Sequence, residues 1–156
     1  MVLSTFAKDD PKWSELNELF GQKITSPKAV SFVTSHELSK AVKGGSGSFH
    51  PKNYSYSVMF RRDIVSTVIL QVSPPNGYGE KHWTQFKGEL PAKIKRSHLR
   101  KDIIKMFGKS HTPKGDTWIS GDLEIWIFFN DKTVIIDELY ISKAETKTKQ
   151  MQNKRK

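Results

Sequence analysis

The chain has 156 residues, 36% hydrophobic and 27% charged, with 26 Lys+Arg against 16 Asp+Glu and a formal net charge of +10. This length suits one domain or two small half-domains sharing a core, and the apolar residues gather in periodic runs, as a globular chain requires. No apolar run approaches the ~20 residues that cross a bilayer, MVLSTFAKDDPKW lacks the continuous apolar stretch of a secretory leader, and the absence of Cys excludes disulfides, thiolate metal sites and a Cys nucleophile and fits a reducing, cytoplasmic setting.

From the N-terminus, Asp9-Asp10-Pro11 predicts a helix start, with a carboxylate N-cap and Pro at the first helical position. Trp13, Leu16, Leu19 and Phe20 follow at helical spacing, and Gly21 stands where a C-cap glycine belongs. AVSFVTS, 29–35, reads as a short strand. Ser35 to Leu38 reads as the opening of a helical turn running to Val42. GGSGS, 44–48, reads as a flexible connection, since it lacks the ending or the helix context of a phosphate-cradling loop. YSYSVMF, 54–60, and IVSTVILQV, 64–72, are β-branched and aromatic runs around Arg61-Arg62-Asp63, a hairpin signature. SPPNGYG, 73–79, is turn sequence, and residues 80–96 are irregular, with Trp83 and Phe86.

The scheme then restarts. Ser97 is an N-cap candidate, and Leu99, Ile103, Met106 and Phe107 share a helical face that Gly108 closes. TWIS, LEIWIFF (123–129) and TVIIDELYI (133–141) follow as strands, the last two joined by a tight turn at Asn130-Asp131-Lys132. The stretches LFGQKITSP (19–27) and MFGKSHTP (106–113) echo each other at corresponding places. The reading is an α+β fold of two αβββ-like repeats that join antiparallel sheets and pack their helices on one face. The repeats cover 1–86, with the linker, and 87–141. A basic tail, 142–156, is expected to be disordered.

The charge is local. The tail carries six basic residues and one Glu, the stretch 87–105 carries seven basic and two acidic residues, and the remainder balances at thirteen each. Within KIKRSHLRK (93–101), Arg96, Arg100 and Lys101 are candidates to track phosphates or to steer an acidic partner. Trp83 and Phe86 nearby are candidates for base stacking or for partner contact. In LEIWIFF, Leu123, Ile125, Ile127 and Phe129 alternate with Glu124, Trp126 and Phe128, so the face away from the helices also carries aromatics. Trp126, Phe128 and Tyr140 are therefore candidates for a protein-binding surface.

Candidate chemistry is sparse. The five His, at 36, 50, 82, 98 and 111, form no HExxH or HxH pattern. GGSGS falls short of a GxSxG elbow. Asp137 and Glu138 are adjacent on a strand and point to opposite faces. The expectation is a binding protein with no catalysis, cofactor or metal.

The tandem helix–Gly–turn–hairpin pattern resembles the architecture of beta-lactamase-inhibitor-protein-like folds. Leu19–Gly21, Tyr54–Val72, GELP at 88–91, Ser97–Gly108, Trp118 and Leu123–Ile141 resemble a family of small bacterial proteins encoded beside polymorphic or contact-dependent toxins as immunity proteins. The resemblance implies direct binding and neutralisation of a cognate toxin. This chain departs from the family's usual acidity and carries Arg61-Arg62 in a hairpin turn, which implies a toxin with an acidic surface. The alternative is a nucleic-acid-binding module using 93–101 and the tail.

Overall fold

The computed structural model describes residues 9–74, 83–112, 116–131 and 133–144. It is a mixed α+β structure built on a seven-stranded antiparallel sheet. Along the chain run α1 (Trp13–Asn17), α2 (Pro27–Ser35), β1 (Ser39–Lys43), β2 (Ser46–His50), β3 (Tyr56–Arg61), β4 (Ile64–Gln71), α3 (Arg100–Phe107), β5 (Thr117–Ser120), β6 (Leu123–Phe129) and β7 (Ile136–Lys143). The spatial order is β1-β2-β3-β4-β7-β6-β5, so β4 and β7 meet at the centre. Leu16, Leu19, Phe32 and Ile103 from the helical segments join Val58, Leu70, Ile125, Leu139 and Ile141 in one buried cluster. Helices and core thus lie on one side of the sheet.

Several local expectations are corrected. The helix near residue 10 starts later. Lys12 is its N-cap, and the Lys12 N–H donates to Glu15 Oε2 at 2.8 Å. Asp10 is a bracket instead: Ser55 Oγ donates to its Oδ1 and the Lys87 N–H to its Oδ2, each at 2.6 Å. AVSFVTS is helix α2, because Pro27 opens it and Ser26 Oγ accepts the Ala29 N–H at 3.2 Å. Those caps, with Ala29 and Phe32 buried three apart, outweigh the β-branched residues. LFGQKITSP therefore leads into a helix and not a strand.

The segment read as a helical turn and flexible loop is the hairpin β1–β2. Gly44 and Gly45 have φ of 59° and 79°, the left-handed pair that a two-residue hairpin turn needs. Gly47 belongs to a strand because a Cβ there would run into the Ala41 carbonyl oxygen and the Phe60 ring. Helix α3 starts three residues beyond Ser97, with Leu99 as N-cap. Trp118 fixes its far end: the buried indole donates from Nε1 to Gly108 O at 2.9 Å.

Two bulges set the sheet's sidedness. Met59 and Phe60 oppose Thr67 and Val65, which leaves Ser66 extra on β4. Phe128 and Phe129 oppose Glu138 and Ile136, which leaves Asp137 extra on β7. An extra residue shifts the alternation by one, so Val65 and Val68 both face the core, as do Ile136 and Leu139. Asp137 O accepts the Val72 and Ser73 N–H groups. Burial raises the Asp137 carboxyl above its ordinary value, and the Asn130 and Ser73 side chains oppose the shift.

The irregular stretch after Trp83 is a strap bonded across the sheet's end. The Thr84 N–H donates to Asn53 O and the Phe86 N–H to Gln71 O, at 2.9 and 2.7 Å. Strand β7 includes Ser142 and Lys143, which the sequence reading assigns to the tail; residues 145–156 lie outside the described residues, as does most of SPPNGYG.

Candidate functional site

The face of the sheet opposite the core is defined by register, because directly opposed residues in an antiparallel pair share a face. One row across it reads Thr117, Trp126, Tyr140, Ile69 and Ser57. The row on one side reads Ile119, Glu124, Ser142, Thr67 and Met59, and on the other Phe128, Glu138 and Gln71.

At its centre three rings touch. Trp126 stacks on Phe128 with centroids 5.1 Å apart and planes 28° apart. Tyr140 lies 6.3 Å from Trp126 and 5.0 Å from Phe128. Trp126 is 48% and Phe128 38% exposed, with Ile119 beside them at 37%. The alternation that buries Leu123, Ile125 and Ile127 necessarily turns Trp126 and Phe128 outward. Glu138 accepts from Gln71 Nε2 at 2.9 Å. Burial raises the Tyr140 hydroxyl's pKa, and the Glu138 charge and hydrogen bond raise it further.

The other expected site residues fall elsewhere. Trp83 is exposed, next to the strap residue Thr84 that bonds to Asn53. Phe86 is no stacking platform. It is fully buried, and its ring meets that of Tyr56 edge-on at 6.0 Å. Arg96 is a clamp: its Nη2 donates to Phe86 O at 2.7 Å and Gly88 O at 2.5 Å. Arg100 pairs with Asp116 and lies over the Phe129 ring at 6.0 Å. Lys101 is exposed on α3. These three cations belong to the helix side of the molecule, so they do not rim the aromatic face as one steering surface would require. Both arginines have internal work.

Sequence reasoning places Glu124 on the open face through the alternation of LEIWIFF but misses Ile119, Glu138, Ile69 and Met59, which needed the pairing register. Among the described residues no three His, Asp or Glu gather where they could hold a metal ion, and no helix is long and apolar enough to cross a membrane.

No family model matches the chain, and no curated protein matches it. Among solved structures, the fold is similar to that of a cysteine-rich secretory protein (SAV1118) from Staphylococcus aureus subsp. aureus Mu50. The TM-score is 0.56 at 11% identity, over 89% of this chain and 49% of that one. The chain therefore spans about half the length of that protein, and at such low identity the likeness is one of fold alone.

Proposed function

We propose that the protein is a non-catalytic binding protein that grips a protein partner with the open face of its sheet, and acts as an inhibitor or immunity protein toward a toxin. The observation that carries this reading is the contiguous ring cluster of exposed Trp126 and Phe128 with half-buried Tyr140, and exposed Ile119 beside it. Rigid aromatics on a strand lose little freedom on binding and supply large contact area, which is why hot spots favour them. Their scaffold is firm, since each alternates with a core residue. A toxin would be blocked by coverage of its active or substrate-entry surface.

The two-repeat architecture belongs to the same proposal. The strand order reads β2-β3-β4 and then β7-β6-β5 about the central pair, and each half's last strand has one bulge near its start. The halves differ in how the chain meets that strand: Lys23 bridges Ile64 after α1, whereas Leu99 bridges Ile135 before α3. Fusion of two units followed by divergence accounts for both facts.

The test is capture of a partner by the wild-type protein and by Trp126→Ala/Phe128→Ala. The double variant should stay folded by circular dichroism and lose the partner. A partner retained at full strength refutes the assignment of the face. The nucleic-acid alternative is less favoured because Arg96 donates to the strap carbonyls and Arg100 pairs with Asp116, although Arg100 stays half exposed and the tail, its other element, lies mostly outside the described residues.

A further inference from the structure

The aromatic part of the open face, on β4 to β7, has a charge of its own, opposite to that of the whole chain; the cations that share the face by register, Lys43 and Arg61, lie at its far end on β1 and β3. By register this part of the face holds Thr67, Ile69, Gln71, Glu138, Tyr140, Ser142, Glu124, Trp126, Phe128, Thr117 and Ile119, of which Gln71 and Thr117 are buried. They include two carboxylates and no Lys or Arg. Glu124 lies one alternation from Trp126 on β6, and Glu138 lies directly opposite Phe128. Among the described residues neither carboxylate pairs with a cation, while Asp116 and Asp122, off this face, are held by Arg100 and Lys143.

We infer that this face takes a basic segment of another protein, with an Arg or Lys side chain laid over the Trp126, Phe128 and Tyr140 rings and its charge between Glu124 and Glu138. The inference rests on the face being the binding surface, as proposed above, and adds the partner's chemistry. Aromatic faces carry partial negative charge and attract guanidinium and ammonium groups most strongly where water is displaced. A carboxylate on each side of the ring cluster gives such a cation its charge-assisted hydrogen bonds. The sign is the reverse of the one that the net charge of +10 suggests: half of that excess lies in 87–105, which follows the strap and α3 on the other side of the sheet, and the other half in 142–156, of which 145–156 lie outside the described residues.

The experiment is an NMR titration of the full chain, following the Trp126 indole Nε1–H, identified by its absence in Trp126→Phe. Deca-arginine, deca-glutamate and a Gly/Ser decapeptide are the probes. The expected result is a saturable Trp126 shift with deca-arginine alone, with the buried Trp118 signal unmoved. Glu124→Gln/Glu138→Gln should bind at least fivefold more weakly and melt within a few degrees of wild type; Glu124→Gln, at an exposed position, checks the effect singly. No Trp126 shift, an equal shift with deca-glutamate, or undiminished affinity in the double variant overturns the inference. So does a Trp126 signal that moves on deletion of 145–156, or concentration-dependent self-association lost in Trp126→Ala, since each gives the face another occupant. A captured partner lost with Trp126→Ala/Phe128→Ala but bound more tightly by Glu124→Lys/Glu138→Lys sinks this inference and leaves the binding face standing.

Discussion

Replacing Phe86 by Ala separates a core role from a partner-binding role. The ring is fully buried, contacts Tyr56 edge-on, and sits so close under the strap that a Cβ on Gly88 would come within 2.5 Å of its Cζ. Removing it leaves a cavity roofed by a strap that Asp10 and Arg96 hold down, so collapse into the space is restricted. The large end of the buried-Phe range applies, about 4 to 5 kcal/mol, from a total that for a domain this size is about 5 to 15 kcal/mol. Phe86→Leu keeps most of the volume and should lose about 1.5 kcal/mol or less. Urea unfolding is the assay. With a slope of about 2 kcal/mol per molar, the Ala variant's midpoint should fall by roughly 2 M with the slope unchanged. A loss under about 1 kcal/mol together with weakened partner capture would place the ring outside the core and refute the reasoning.

Other outcomes follow from the same contacts. Arg96→Ala should lose about 2 kcal/mol by urea unfolding, because the Phe86 and Gly88 carbonyls lose a charged donor; Arg96→Lys should recover only part of it, since an ammonium lacks the fixed fork. Gly88→Ala should destabilise by about 1 to 3 kcal/mol, because the added Cβ meets Pro11 O at 2.6 Å as well as the Phe86 ring; a neutral result in thermal melting would show that the strap moves freely. Burial raises the Asp137 carboxyl's pKa, so the folded state holds that proton more tightly than the unfolded chain. Stability from this group is present at low pH and falls as pH rises from the ordinary carboxylate value through the raised one. Asp137→Asn should therefore melt above wild type at pH 7 and beside it near pH 3, and a variant less stable at pH 7 contradicts the sign. Glu138→Gln should bring the Tyr140 hydroxyl back toward its ordinary titration, read by ultraviolet difference spectra, because it removes the charge that opposes the phenolate.

The hairpins β3–β4 and β6–β7 were legible because β-branched and aromatic runs bounded by turn residues have few other readings. Trp126 and Phe128 were legible for the same reason, since period two alone assigns their face. The β1–β2 hairpin was hidden by composition. SKAVK is wholly exposed, so it has no apolar alternation, and the strand role of Gly47 depends on Phe60 from a partner strand. Helix α2 reads as a strand because Val, Phe and Thr favour strands, while the stronger local signal, Ser26-Pro27, sits in the turn sequence ahead of that run. The inward roles of Phe86 and Arg96 are illegible for a different reason. The strap has no period, so nothing in its sequence says which side chains turn inward; that is decided by Asp10 and Ser55, remote in the chain. The bulges at Ser66 and Asp137 were equally invisible, because an extra residue shows only against the strand it fails to pair with.

Strand β6 keeps two separate ledgers along one stretch of chain. Leu123, Ile125 and Ile127 answer to the interior, while Glu124, Trp126 and Phe128 answer to whatever meets the open face. A change at an even position leaves the fold almost untouched, and a change at an odd one leaves the surface almost untouched. On the proposed reading, selection can therefore rewrite recognition at every second codon without revisiting foldability. A lineage pressed to follow a changing partner needs that freedom, and its homologues would diverge along β6 with a two-residue rhythm: steady at 123, 125 and 127, restless at 124, 126 and 128.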